Sequence, residues 1–141
     1  MSGFEFDDRR FPLVVVRTPA EFRDADLTEV FRRFEANFAR RERYALLLDT
    51  TPVLHVPTAK QRAMISTWEK AHVADTRRWN VGTALVVTSA LVRGVLTALA
   101  WAVPDETPRV HVATAREATA WCAARLAEHG LSLDGRRSPG P

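Results

Sequence analysis

The chain has 141 residues, of which 46% are hydrophobic and 26% are charged. These proportions are ordinary for globular proteins and exclude wholesale disorder, and a chain of this length buries roughly 68–70% of its unfolded surface, enough for a core without disulfides or metals. The net charge is +3, with acids and bases interleaved along the chain, which argues against nucleic acid as a partner.

The chain contains a single cysteine, Cys122, which excludes an intrachain disulfide. A reactive thiol usually needs a helix N-terminus or a cationic neighbour, so we expect Cys122, in the middle of a predicted helix, to be buried and inert. The first residues lead into an acidic stretch and not into the basic and then apolar stretch of a secretory signal. We therefore expect a cytoplasmic protein.

The first part of the chain predicts two strands and a helix. Residues 1–10 form an N-terminal segment with an edge strand at 4–6, and residues 13–17 form the next strand. A helix is predicted from Asp26 to about Arg41, because its apolar residues recur at i, i+3, i+4, i+7 and i+11 and therefore share one face. These residues are Leu27, Val30, Phe31, Phe34 and Phe38.

The middle of the chain predicts a buried strand and one long helix. Residues 44–48 are an uninterrupted apolar run, typical of a parallel strand that is buried on both faces. Thr58 and Gln61 match a capping box, which predicts a helix from Thr58 toward Arg78. Its inner face carries Gln61, Met64, Ile65, Trp68 and His72.

Residues 84–103 form an apolar run that is long enough to cross a membrane. Arg93 near its centre would cost about 2.5–3.5 kcal/mol there, and the composition changes at Thr88-Ser89, which can cap a helix. The run therefore predicts no transmembrane segment. It predicts a strand at 81–88 followed by a helix at 91–103.

The last elements complete an alternating pattern. A strand is predicted at 109–113, and a second capping box, Thr114 with Glu117, opens a helix that ends at His129 before Gly130. The alternation predicts an α/β fold: one domain over residues 11–130, with a four- or five-stranded, mainly parallel (mixed) sheet and about four helices. Residues 131–141 predict a flexible C-terminal tail.

Residues 46–65, with the sequence LLLDTTPVLHVPTAKQRAMI, resemble the STAS domain of bacterial anti-sigma-factor antagonists and its STAS-like relatives. The shared features are an apolar strand ending in Asp49, a short loop and a helix start. Residues 89–99 and 109–121 are similar to the penultimate helix, last strand and closing helix of that family, the last through Glu117-Ala118 and Trp121. The resemblance implies a STAS-like α/β domain with a non-catalytic regulatory or adaptor role, exerted by protein–protein binding. It also implies a phosphoacceptor at Thr58, where this chain has Pro57-Thr58 in place of the family's Asp-Ser pair.

Four residues are candidates for a ligand or modification site, each with a simpler alternative. Asp49 follows a strand, where α/β folds place ligands, or it forms an Asx-type turn with the next residues. Thr58 is a phosphoacceptor candidate or only a helix cap. His55 and His72 are ligand candidates, or packed and surface histidines. The histidines have no metal-ligand spacing among themselves or with Cys122, so we expect neither a metal nor a cofactor.

The helix predicted at 91–103 has one face suited to an interface. Its other face, which we expect to cover the sheet, carries Leu91, Val92, Val95, Leu96, Leu99 and Val103. The interface candidates are Arg93, Gly94, Thr97 and Trp101, a nearly uncharged group with the aromatic and arginine typical of interface anchors. They predict contact with an unidentified protein partner or self-association, unless another part of the chain covers them.

Three classes of function remain open. The first is the adaptor, and the second is a STAS-like module that binds a small molecule or lipid between the loop at 53–56 and the apolar helix. The third is a small enzyme using Asp49, His55 or His72; no phosphate loop, nucleophile elbow or zinc motif supports it, so we expect no enzyme. A concave apolar cavity would favour ligand binding, a cleft joining Asp49 to a histidine would favour an enzyme, and an exposed Trp101 without a cavity would favour the adaptor.

Overall fold

Strands and helices alternate along the computed structural model of the chain, which describes residues 3–133. Five strands and five helices lie within this range. Their bounds are β1 Glu5–Asp7, β2 Leu13–Arg17, α1 Asp24–Ala39, β3 Tyr44–Asp49, α2 Ala59–Ala71, α3 Val73–Trp79, β4 Asn80–Val86, α4 Ala90–Ala102, β5 Arg109–Val112 and α5 Ala115–Glu128.

The five strands form one mixed sheet in the order β1-β2-β3-β4-β5. The edge strand β1 is antiparallel to β2, and every other neighbouring pair is parallel, with Leu46 opposite both Val14 and Thr83. The structure therefore confirms the predicted single α/β domain with a mainly parallel sheet. From β2 to β5, each connection leads to the adjacent strand on the same side of the previous one. Because such parallel connections are right-handed, helices α1 to α4 all lie on one face of the sheet.

Among the helices of residues 3–133, α5 is the one that covers the other face of the sheet, and the packing there is close. Small residues allow α5 to lie close to the sheet. Ala45 and Ala84 on the strands face Ala118 and Cys122 on the helix, and all four are fully buried. The Cys122 thiol donates a weak hydrogen bond to the Leu46 carbonyl over 3.5 Å. Burial raises the pKa of this thiol to about 11, in agreement with the predicted buried cysteine.

Large side chains separate the sheet from the helices on the opposite face. Phe31 and Trp68 stack with their ring centroids 4.9 Å apart, and Phe38 and Trp68 stack at 6.1 Å. The predicted apolar face of α1 is confirmed, since its residues pack on Val14 and Leu46 of the sheet. Bulky contacts of this kind hold the helices off the sheet and leave space between them.

Two helices differ from their predicted bounds by more than one residue at an end. The single helix expected from Thr58 to Arg78 is interrupted at His72, whose φ of −117° and ψ of 15° are not helical. There the imidazole Nδ1 bonds to the Trp68 carbonyl over 2.8 Å and the ring stacks on the Trp68 indole, while the His72 backbone amide also bonds to the Trp68 carbonyl over 3.1 Å. The first helix begins at Asp24 and not at Asp26, because the Asp26 carboxylate accepts from the backbone amide of Arg23, the N-cap.

The apolar run at 84–103 is divided between the end of β4 and α4, as predicted. Across residues 3–133, none of the helices has both the length and the hydropathy needed to cross a bilayer. At the C-terminal end, Gly130, the residue before which the last helix was expected to end, has a left-handed φ of 73°. Leu131 and Leu133 pack on the α5 face. The rest of the predicted tail, 134–141, lies outside the described residues.

Candidate functional site

A cavity of about 210 Å³ lies between the sheet and helices α1 to α4. Its walls are mainly apolar. The strands contribute Leu46, Leu48 and Leu85, and the helices contribute Phe34, Ile65, Trp68, Val92, Val95, Leu96 and Leu99. The inner face predicted for α4 therefore forms one wall of this cavity.

The cavity is large enough for one small molecule. An apolar cavity of about 150 Å³ can hold benzene, whereas sites for drug-sized ligands occupy roughly 300–1,000 Å³. At about 210 Å³, the space suits a single ring with a short chain, or a short aliphatic chain. A whole membrane lipid does not fit without movement of the helices.

The loop after β3 lines the cavity at the carboxyl ends of the strands. Val53 and Val56 lie in the wall, as expected for the ligand-binding hypothesis, and Leu54 between them is exposed. The loop is held in place by the Ala20 carbonyl, which accepts hydrogen bonds from the backbone amides of Leu54 and His55 over 3.0 and 3.1 Å.

The opposite end of the cavity, at the amino ends of β4 and β5, is polar. We call it the polar end, and it consists of Glu69, Thr76, Asn80, Thr83, Asp105 and Arg109. Tyr44, the first residue of β3, lies opposite Asn80 in the sheet register and also lines the cavity.

A β-bulge brings two of these residues onto the same face. Tyr44 pairs with Asn80 and Ala45 with Gly82, so Val81 is an extra residue on β4. Without the bulge, Asn80 and Thr83 would point to opposite faces, since side chains alternate along a strand. With it, both line the cavity, and the Asn80 amide donates to the Thr83 hydroxyl over 2.9 Å.

Glu69 is the carboxylate on the helical wall of the polar end. It is partly buried, and its side chain makes neither a hydrogen bond nor an ion pair within residues 3–133. Burial raises the pKa of Glu69; Arg109 opposes this effect and Asp105 adds to it. A carboxylate held in an apolar wall without donors is costly to ionise.

The other two charges at the polar end have different surroundings. Asp105 Oδ1 accepts from the Thr107 backbone amide over 3.0 Å and from its hydroxyl over 2.8 Å, forming a turn before β5. Arg109 is exposed, and its guanidinium pairs with no carboxylate in the described part of the chain. Both residues keep hydrogen-bonding capacity for another molecule.

Asp49 forms the predicted Asx-type turn. Its Oδ1 accepts from the Thr51 backbone amide over 2.9 Å and from the Thr51 hydroxyl over 2.7 Å. Its Oδ2 lies 3.6 Å from Arg17 Nε. These partners account for the carboxylate without a ligand.

The two candidate histidines have separate partners and no bond to Asp49. His55 is exposed, with Nε2 3.4 Å from Glu21 Oε1. His72 bonds to the Trp68 carbonyl and stacks on that residue's ring, with centroids 4.3 Å apart. No cleft joining Asp49 to a histidine is therefore formed. Within residues 3–133 no three His, Cys, Asp or Glu side chains gather in a way that could hold a metal ion.

Thr58 caps α2 as the sequence predicts. Its hydroxyl accepts from the Gln61 backbone amide over 3.1 Å, and Gln61 Oε1 accepts from the Thr58 amide over 2.9 Å. Thr58 is exposed and is not part of the cavity wall. Of the nearby cations, Lys60 pairs with Asp24 over 2.8 Å and Arg62 donates to the Pro57 carbonyl over 2.7 Å.

The predicted interface candidates on α4 are all exposed: Arg93, Gly94, Thr97 and Trp101, the last at 83%. Leu91, expected to cover the sheet, is 65% exposed. At 100° per residue, Leu91 lies 100° away from Val92, on which the cavity-facing side of α4 is centred. It therefore adds to the exposed apolar surface of this helix.

The polar end was missed by sequence reasoning, which looked for a site at the carboxyl ends of the strands. One signal was present: Glu69 lies four residues after Ile65 and four before Val73, so helical spacing places it on the inner face. Asn80, Thr83, Asp105 and Arg109 gave no comparable signal.

Compared with known proteins, the chain matches no family model, no curated protein and no solved structure.

Proposed function

We propose that this protein binds a small apolar or amphipathic molecule in the cavity between the sheet and helices α1 to α4. The observation that carries the proposal is the cavity itself, about 210 Å³ with leucine, valine and aromatic walls. A concave apolar cavity is the feature that favours ligand binding over the adaptor and enzyme alternatives.

The size of the cavity argues against an ordinary packing defect. Protein interiors are close-packed, with few voids larger than a water molecule. A cavity of about 210 Å³ leaves its apolar wall without the contacts that close packing gives, and a ligand that fills the space would supply them.

The proposal is tested with a substitution whose larger side chain occupies the cavity and excludes a ligand. We expect n-butylbenzene to raise the melting temperature of the wild-type protein and to shift the methyl NMR signals of Leu85, Leu96 and Leu99. Leu99→Trp should fill the space and abolish both effects. Ala98→Trp is the matched control, because Ala98 is exposed on α4 and should bind as the wild type does. Absence of wild-type binding, or equal binding by Leu99→Trp, would refute the proposal.

A second candidate function is the STAS-like adaptor, acting through protein–protein contact on the outer face of α4. The resemblance at residues 46–65 and the exposure of Trp101 support it, since exposed tryptophans of this kind often anchor interfaces. In this case the exposed hydroxyl of Thr58 is a position at which phosphorylation would tune the interaction through the N-terminus of α2.

The adaptor hypothesis is tested with Trp101→Glu. We expect this change to abolish self-association in sedimentation velocity, or crosslinking to a partner in the native lysate, while the circular dichroism spectrum stays unchanged. Leu54→Glu is the matched control, since Leu54 is 77% exposed in the loop after β3. Equal association of Trp101→Glu and the wild type would exclude this surface.

A further inference from the structure

The charged groups in the cavity wall lie at one end only, and this asymmetry indicates an oriented ligand. At the other end, the hydroxyls of Thr18 and Thr50 already donate to the carbonyls of Asp49 and Val86. The walls near Leu48 and Leu85 are apolar, whereas the polar end carries two carboxylates, Glu69 and Asp105, and one guanidinium, Arg109. A wholly apolar ligand would leave Glu69 without a partner, whereas Asp105 already accepts from Thr107 and Arg109 is exposed. An amphipathic ligand would place its polar group among them.

Among the acceptors at this end, Glu69 has the largest unused hydrogen-bonding capacity; the guanidinium donor of Arg109 also makes no hydrogen bond within residues 3–133, but it is exposed. An ionised carboxylate only accepts hydrogen bonds and has about four lone-pair sites. Within residues 3–133 nothing donates to the Glu69 side chain. By contrast, Asn80 already donates to Thr83 and accepts from the Gly82 amide, and Asp105 Oδ1 has two donors from Thr107. A hydrogen-bond donor from the ligand would therefore be best placed at Glu69.

The charges around this end favour a cation over an anion. They come from several elements: Glu69 on α2, Asp75 on α3, Asp105 before β5, and Arg109 on β5. Asp75 and Asp105 both act on the buried Tyr44 hydroxyl at the start of β3, and each raises its pKa. Asp75 is exposed and lies outside the cavity wall, so two acids in the wall, Glu69 and Asp105, face one base, Arg109, which is itself exposed.

We propose that the ligand is a small amphipathic amine, with its apolar body among the leucines and its ammonium group beside Glu69 and Asp105. This inference rests on the proposed ligand-binding function. An ammonium supplies up to three donors, and charge-assisted hydrogen bonds to carboxylates are about twice as strong as neutral ones. The Thr83 hydroxyl offers a further acceptor at the same end.

Three probes of similar size and different head groups test the inference by isothermal titration calorimetry at pH 7. They are 2-phenylethylamine, 2-phenylethanol and 3-phenylpropionate. We expect the amine to bind at least tenfold more tightly than the alcohol, and the carboxylate to bind most weakly. Glu69→Gln should reduce amine affinity at least tenfold and change alcohol affinity less than twofold.

Glu29→Gln is the matched control variant. Glu29 is exposed on α1 and pairs with Arg32, so this variant removes the same charge without touching the cavity and should leave all three affinities unchanged. Equal affinities for amine and alcohol, tighter binding of the carboxylate, or an amine affinity insensitive to Glu69→Gln would each overturn the inference while the cavity proposal stands. If n-butylbenzene also fails to bind, the proposed function falls as well.

Discussion

The Asn80 side-chain amide donates a hydrogen bond to the Thr83 hydroxyl over 2.9 Å, inside the bulge that begins β4. The Asn80 carbonyl oxygen accepts from the Gly82 backbone amide over 2.8 Å, and all of these groups are buried. Asn80 therefore satisfies the backbone where the bulge interrupts the sheet ladder, and it also fixes the polar end of the cavity.

Asn80→Ala should lower the free energy of unfolding by about 1–3 kcal/mol, because it leaves the buried Gly82 backbone amide and the buried Thr83 hydroxyl without their Asn80 partner. Urea denaturation measures this change. A double-mutant cycle with Thr83→Val isolates the side-chain bond, and we expect a coupling of about 0.5 kcal/mol or more. Additive effects of the two substitutions would show that the bond contributes nothing of its own.

Gly82→Ala and Gly94→Ala should change stability in opposite directions. A Cβ at Gly82 would lie 2.7 Å and 2.9 Å from two ring atoms of Trp121, so we expect a loss of about 1–3 kcal/mol from overpacking. Gly94 lies in α4 with nothing within 4 Å of its added Cβ, so alanine should gain up to about 1 kcal/mol from helix propensity. Thermal or urea unfolding of both variants tests the pair.

Trp121→Leu provides the control for Gly82→Ala, because it removes the ring that the new methyl would meet. The double variant should lose less than the sum of the two single losses. If Gly82→Ala is as stable as the wild type, α5 does not approach β4 as closely as the structure shows.

Sequence periodicity predicted the elements well where one face of each is continuously apolar. Leu27 to Phe38 show helical spacing and residues 44–48 a buried strand, and both predictions are confirmed. The break at His72 could not be predicted in the same way. There the imidazole bonds to the carbonyl of Trp68, four residues earlier, and also stacks on Phe38 of α1 with ring centroids 6.2 Å apart, a contact between helices that spacing does not encode.

The polar end escaped prediction for a related reason. Strand alternation alone puts Asn80 and Thr83 on opposite faces, and the bulge at Val81 reverses that result. Arg109 and Asp105 reach the cavity only because β5 lies beside β4, and sequence order does not fix the spatial order of strands. Predictions at strand ends, such as the Asx-type turn at Asp49, succeeded because they involve only neighbouring residues.

The Thr58 cap is a local feature with a measurable contribution to stability. Thr58→Ala removes the acceptor for the Gln61 amide and should cost about 1 kcal/mol of unfolding free energy. Thr58→Asp should remain within about 0.5 kcal/mol of the wild type, because aspartate is an equally good N-cap. Urea denaturation compares the two. Thr28→Ala, an exposed threonine within α1, controls for loss of the side chain, and a similar loss there would mean that the cap is not responsible.

Glu69 should make the stability of the ligand-free protein depend on pH. Burial raises its folded-state pKa above the ordinary value of 4.5, so the folded protein holds this proton more tightly than the unfolded chain does. Its contribution to stability is complete below pH 4.5 and is lost as the pH rises through the folded-state pKa. Glu69→Gln does not titrate, so its stability relative to the wild type should increase between pH 4 and pH 8. Urea denaturation across this range measures the difference.

The control is Glu29→Gln, whose unfolding free energy should change with pH as that of the wild type does. If the unfolding free energy of Glu69→Gln also changes with pH as in the wild type, the cavity wall does not disfavour the charged carboxylate.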